Sequence, residues 1–149
     1  MGIKIIARNK RAGFDFELLE KTEVGLVLQG TEVKSLRLGK VSLHEAFVTI
    51  DSRGEAWIQG MSIPPYPFGT YANHEETRKR KLLLHKKELR DIDHTMRIKG
   101  LTLIPTVIYF KESRVKMEIS LAKGKKLHDK RQTLKEKDIK RQLQKSDYS

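Results

Sequence analysis

Leu101-Thr102-Leu103-Ile104-Pro105-Thr106-Val107-Ile108-Tyr109-Phe110 runs into the polar quartet Lys111-Glu112-Ser113-Arg114 and then into Val115-Lys116-Met117-Glu118-Ile119-Ser120-Leu121. Two apolar runs around a short polar turn predict an antiparallel β-hairpin. The first run holds Thr102, Pro105 and Thr106 and is too short to span a bilayer. Working back along the chain, Leu89, Ile92 and Met96 fall on one helical face, Glu88 stands three residues after His85, and Gly100 follows Lys99. An amphipathic helix is therefore predicted over 86–99, packed on the body.

Further upstream, Arg78-Lys79-Arg80-Lys81 precedes Leu82-Leu83-Leu84, a basic entrance to a buried strand, and Ile63-Pro64-Pro65-Tyr66-Pro67-Phe68-Gly69 must be a loop because proline removes backbone donors. Phe47–Asp51 and Glu55–Gly60 enclose Ser52-Arg53-Gly54, a second predicted hairpin. Gln29 to Gly39 suits a short helix with a glycine C-cap, with Lys34, Ser35 and Arg37 on its polar face. Ser42 and Glu45 have capping-box spacing, but the run after them soon gives way to strand chemistry. Phe14–Leu19 and Val24–Leu28 flank Lys21-Thr22-Glu23, which reads as a further hairpin. Six or seven strands with two or three short helices result. Closure removes exposed edges, so the expected fold is mainly β, a small antiparallel Greek-key barrel of oligonucleotide-binding (OB) type.

The chain has 149 residues, 38% of them hydrophobic, and no cysteine. That excludes disulfides, thiolate metal sites and cysteine nucleophiles. Met1-Gly2-Ile3-Lys4-Ile5-Ile6 is too short an apolar run for a signal peptide, so a cytoplasmic protein without membrane association is expected. The formal net charge is +12, and half of it falls from Lys123 onward, where ten Lys or Arg meet four acids. We therefore expect a barrel over 1–122 and a basic tail over 123–149, loose when alone and ordered by a polyanion.

His44, His74, His85, His94 and His128 show no metal-ligand spacing, and His74-Glu75-Glu76 is a weak ligand set, so no metal and no cofactor are expected. Glu17, Glu20, Glu23, Glu88, Asp91 and Asp93 alternate with bases along edges and helix faces, which suits solvated charge better than a Mg²⁺ cleft. No GxSxG, Walker loop or GxGxxG is present. A binder, not an enzyme, is predicted. Asn9-Lys10-Arg11, Lys34, Arg37, Arg78 to Lys81 and Lys123 to Arg131 would form a basic collar gripping phosphates. Tyr66, Phe68, Tyr71 and Trp57 are candidates for stacking on unpaired bases, against core packing for Trp57 and loop anchoring for the others.

Asn9-Lys10-Arg11-Ala12, Gly30-Thr31-Glu32-Val33-Lys34-Ser35-Leu36-Arg37, Arg80-Lys81-Leu82-Leu83-Leu84-His85 and Lys123-Gly124-Lys125-Lys126-Leu127-His128-Asp129-Lys130-Arg131 together resemble the bacterial SsrA-binding protein (small protein B, SmpB) family over essentially the whole chain. The resemblance implies an OB-type barrel that binds transfer-messenger RNA (tmRNA) and takes it to stalled ribosomes for trans-translation. It implies a tmRNA surface of Asn9, Lys10, Arg11, Glu23 at the hairpin turn, Lys34, Leu83 and Lys116. Leu83 suits the core equally well at this point. It further implies that Lys123, Lys125, Lys126, His128, Asp129, Lys130 and Arg131 engage the ribosome, the last four at the 16S rRNA decoding centre. A tail helix with Leu134, Lys135, Ile139, Lys140 and Arg141 would form in the empty mRNA channel, and the protein would act as a monomer in complex with RNA. Many members carry Asp-Pro where this chain has Glu75-Glu76, and the helix around Asp93-His94-Thr95 reads as less regular than the family's. A general ribosome-associated RNA-binding module and a small nuclease are the alternatives.

Overall fold

A computed structural model describes residues 2–69 and 73–125. The final hairpin forms as its sequence dictates, from two long strands that the elements before them extend and cover. In chain order the elements are β1 (Ile3–Arg8), α1 (Ala12–Asp15), β2 (Phe16–Leu26), α2 (Gly30–Arg37), β3 (Phe47–Ile50), β4 (Ala56–Gln59), β5 (Arg80–Leu83), α3 (Lys86–Lys99), β6 (Thr102–Lys111) and β7 (Arg114–Gly124). Glu112 and Ser113, at φ 51° and 74°, make the two-residue β6–β7 turn. Two left-handed residues in succession match the right-handed twist of the strands they join. Val115, Met117, Ile119 and Leu121 of β7 enter the main core, whose other walls include Leu36, Ile58, Met61, Leu82, Leu89, Ile92 and Ile108.

The strand order is β1-β6-β7-β2-β5-β4-β3, and every paired neighbour is antiparallel. β3 and β6 come within 8 Å between Cα atoms, although the edge strands β1 and β3 are not hydrogen-bonded to each other. The sheet thus coils around the core without closing its ladder. Pro105 lacks a backbone donor, and the β6–β7 register shifts between Pro105 and Val107, a bulge that accommodates it. α3 spans the predicted residues, ends at the left-handed Gly100 and buries Leu89 and Ile92. It is a regular helix through Asp93, His94 and Thr95.

Two expectations are corrected. Lys21-Thr22-Glu23 is not a turn: β2 is one continuous strand, paired with β7 from Phe16 opposite Gly124 to Gly25 opposite Lys116. The polar triplet follows a register shift between Leu18 and Lys21 on a strand with an open face, so it needs no reversal of the chain. Ser42 caps no helix, in keeping with the strand chemistry that follows it, and bridges Ser62. Ser35 is not on a polar face; it is fully buried and its hydroxyl donates to the Pro64 carbonyl at 2.8 Å. β1, to which sequence reading assigned no element, is an edge strand on which Ile3 and Ile5 stay exposed.

Candidate nucleic-acid interface

Register places three of the implied RNA-binding side chains together. Gly25 of β2 stands opposite Leu83 of β5 on one side and Lys116 of β7 on the other, and Lys116 stands opposite Tyr109 of β6. A Cβ at Gly25 would lie 3.4 Å from the Leu83 Cβ and 3.7 Å from the Lys116 Nζ, so these two side chains lean toward each other over the bare glycine. Leu83 is half exposed and therefore not core. Beside it lies a groove of about 320 Å³ lined by Leu26, Leu28, Val33 and Arg114 as well as these residues.

Glu23 lies two residues before Gly25, opposite Glu118 of β7. Its carboxylate accepts from the Tyr109 hydroxyl, and the Lys111 ammonium approaches at 3.3 Å. The Tyr109 hydroxyl, against the opposing effect of burial, and then Lys111 and Lys116 hold this carboxyl below the usual carboxylate range. Burial and the same contact push the Tyr109 phenol up. Glu23 is thus a fixed acceptor among cations. An acceptor-only group of this kind is suited to base or ribose donors and not to phosphate. Tyr109 and Gly25 escaped sequence reading, because only the strand register shows that one orients Glu23 and the other leaves the face open.

Asn9, Lys10 and Arg11 occupy a second patch. Between it and the first lies β2 from Phe16 to Gly25, roughly 30 Å of strand. The Asn9 side chain donates to the Pro105 carbonyl at 3.0 Å and its backbone N–H to the Thr106 carbonyl at 2.8 Å, so this residue straps β1 to the bulge of β6. Arg8, Lys10 and Arg11 line a groove of about 340 Å³ with Val41 to His44. Arg11 stacks on Phe14 at 4.6 Å. Lys123 lies in β7 opposite Glu17, and Lys125 is tied to α1, its backbone N–H donating to the Asp15 carbonyl and its ammonium to the Gly13 carbonyl at 2.8 Å. β7 therefore runs past residue 122, and the last described residue is held beside α1. Tyr71, Lys126, His128, Asp129, Lys130, Arg131, Leu134, Lys135, Ile139, Lys140 and Arg141 lie outside the described residues.

The basic quartet is not part of a phosphate collar as a unit. Alternation along β5 turns Arg80 inward, where it is fully buried against Glu32, and Arg78 donates to the same carboxylate. Arg80 also donates to the carbonyls of Met61, Glu75 and Glu76. Lys79 lies over Trp57 at 4.7 Å, and Lys81 meets Glu55 at 3.5 Å. Trp57 itself donates from its indole to Asp51 at 2.9 Å. His74 is buried and structural. Its Nε2 donates to the Ile63 carbonyl at 2.7 Å, which leaves Nδ1 to accept from the Thr31 hydroxyl. Among the described residues no group of three or more His, Asp or Glu is placed to hold a metal ion.

Comparison with known proteins adds the relatives of this arrangement. The SmpB protein family matches residues 6–148. An SsrA-binding protein of Bifidobacterium adolescentis is 54% identical over 141 residues, covering 95% of this chain and 89% of its own length. That of Syntrophotalea carbinolica is 54% identical over 143 residues, covering 96% of this chain and 95% of its own. A solved structure described as "tmRNA-SmpB: a journey to the center of the bacterial ribosome" superposes with a TM-score of 0.68 at 48% identity, covering 81% of this chain and 85% of that one.

Proposed function

The chain belongs to the SmpB family, and from that premise we propose that it binds tmRNA and delivers it to stalled ribosomes for trans-translation. The reading is carried by its likeness, in both sequence and fold, to the chain of the tmRNA-SmpB structure. The coiled sheet recognises RNA shape and ribose. Lys116 and Leu83 contact the RNA beside Gly25, Glu23 accepts from base or ribose, and Asn9, Lys10, Arg11 and Lys34 extend the surface. The protein stands in for the missing anticodon stem of a transfer-like RNA, and residues from Lys123 onward engage the decoding centre and the vacant mRNA channel. Catalysis stays with the ribosome, the protein works as a monomer with its RNA, and its place is the cytoplasm. Among the described residues, no helix is long and apolar enough to cross a membrane.

The test is equilibrium binding of the full chain to the transfer-like domain of tmRNA across a salt series, with a generic hairpin of equal charge as competitor. Preference for the tmRNA domain is expected at every salt concentration, with the RNA intact after incubation with Mg²⁺. Equal binding of both RNAs along one steep salt slope, of the kind about six or more phosphate contacts produce, overturns the reading in favour of a general RNA-binding module.

A further inference from the structure

The loop between β4 and β5 presents an aromatic ring that the fold does not use. Phe68 is 80% exposed, and its ring meets that of Tyr66 edge-on, with centroids 5.5 Å apart and planes at 68°. The Lys34 ammonium lies 5.6 Å from the centre of the Tyr66 ring. An exposed apolar side chain is ordinary in itself. The way this one is held is not.

Pro64, Pro65 and Pro67 fix φ at three positions around Tyr66. Asn73 clamps the loop: its Oδ1 accepts from the backbone N–H groups of Tyr66 and His74, and its Nδ2 donates to the Tyr66 carbonyl at 2.9 Å. The Gly69 N–H donates to that same carbonyl at 2.9 Å, and a Cβ at Gly69 would come within 2.4 Å of the Asn73 Nδ2. Ser35 of α2 donates to Pro64, and the Ile63 N–H donates to the Glu76 carbonyl at 3.0 Å. The backbone on either side of Phe68 is thus tied by hydrogen bonds within the chain, at Tyr66 and at Gly69, an arrangement that reduces the conformational entropy lost on binding.

We propose that Phe68 is a stacking platform for an unpaired base of the bound RNA, with Lys34, seated on the Tyr66 ring, taking the neighbouring phosphate. The inference rests on the RNA-binding reading above and adds a subsite to it. A π-face with a cation one ring away matches the repeating chemistry of a single strand, a base and then a phosphate. A protein partner would bury a broader apolar area than one exposed ring and its flanking prolines provide.

The experiment measures affinity for tmRNA with the full chain and with Phe68→Ala and Phe68→Trp. Phe68 makes no core contact, so both variants are expected to melt with the parent. Phe68→Ala is expected to weaken binding about five- to 100-fold with the salt slope unchanged, since stacking releases no counterion. Phe68→Trp should keep the affinity and show indole quenching on RNA addition beyond that of the parent, whose sole tryptophan is Trp57. Parental affinity in Phe68→Ala together with no added quenching in Phe68→Trp overturns the proposal while leaving tmRNA binding intact. Failure of the parent itself to prefer tmRNA strikes the underlying reading instead.

Discussion

Glu32 and Arg80 form an ion pair in which neither side chain reaches solvent, joining α2 to β5 across 48 residues of sequence. The carboxylate also accepts from the Gln29 N–H at 2.8 Å, and the guanidinium is satisfied by three carbonyls, so the pair is desolvated but fully bonded. Removing one partner leaves the other charge buried. Glu32→Ala is expected to cost about 3–5 kcal/mol, a fall in Tm on the order of 10 °C. Arg80→Lys should behave similarly, because an ammonium cannot reach Glu32 and the carbonyls of Met61, Glu75 and Glu76 in one planar fork. Thermal melting of both variants is the check, and a Tm within about 2 °C of the parent's in either would contradict this account.

The same pair sets an acid limit. Burial pushes the Glu32 carboxyl up, but hydrogen bonds from Arg78, the Gln29 backbone and Arg80 outweigh it and leave the group below its ordinary 4.5. A carboxyl whose folded pKa is depressed stabilises the fold above its unfolded pKa and loses that contribution as pH falls through the folded value. Melting curves from pH 7 downward should therefore stay level until about pH 4.5 as far as this group is concerned and then fall. Glu32→Gln should start lower at neutral pH and fall less on the acid side. Parallel curves for the two proteins would remove Glu32 from the acid limb.

Tyr109 orients Glu23 across the sheet, a role accessible to a direct titration. Tyr109→Phe removes the hydroxyl that does most to hold the Glu23 carboxyl low, so its pKa, followed by NMR, should rise toward 4.5. Glu23 remains ionised at pH 7 in both proteins. The loss is in the fixed direction of its oxygens, and tmRNA affinity should fall about two- to tenfold, the worth of one hydrogen bond. An unmoved Glu23 titration would mean that Lys111 and Lys116 alone hold the carboxylate.

Some of this was legible in the chain and some was not, for physical reasons. α3 was readable because Leu89, Ile92 and Met96 repeat at helical spacing and Gly100 supplies the left-handed cap. The β6–β7 hairpin was readable because both strands are long and apolar. β2 was misread because Lys21-Thr22-Glu23 on an exposed strand face has the composition of a turn, and only its pairing with β7 distinguishes the two. The Arg78 to Lys81 quartet hid an alternation: Arg80 finds its counter-charge on a distant helix, and local sequence cannot show that. Glu23, Leu83 and Lys116 sit on three different strands, and the register around Gly25 gathers them. No spacing along the chain signals that gathering.

Lys116 offers the most specific probe of that gathered face. Its ammonium leans over Gly25 toward Leu83 and has no acidic partner within ion-pair distance among the described residues. If it takes a phosphate, Lys116→Ala should reduce the slope of log affinity against log salt by about one and weaken binding. The fold should tolerate the change, since the apolar side chains of β7 point the other way. An unchanged slope would place Lys116 away from the RNA backbone.

Truncation separates the body from the basic segment after it, provided that the cut respects β7. Cutting after Leu121 removes Ala122, which is wholly buried, and the partners of Leu18, Glu17 and Phe16, so it damages the sheet. Cutting after Lys125 keeps that pairing and the Lys125 ties to Gly13 and Asp15. It discards eight basic and four acidic side chains, so the salt slope should flatten modestly. The shortened protein is expected to melt with the parent, to keep its preference for tmRNA over a generic hairpin, and to fail in tagging nascent chains on stalled ribosomes. If the preference for tmRNA disappears with the tail, RNA recognition belongs to residues 126–149, and the face around Gly25 has another role.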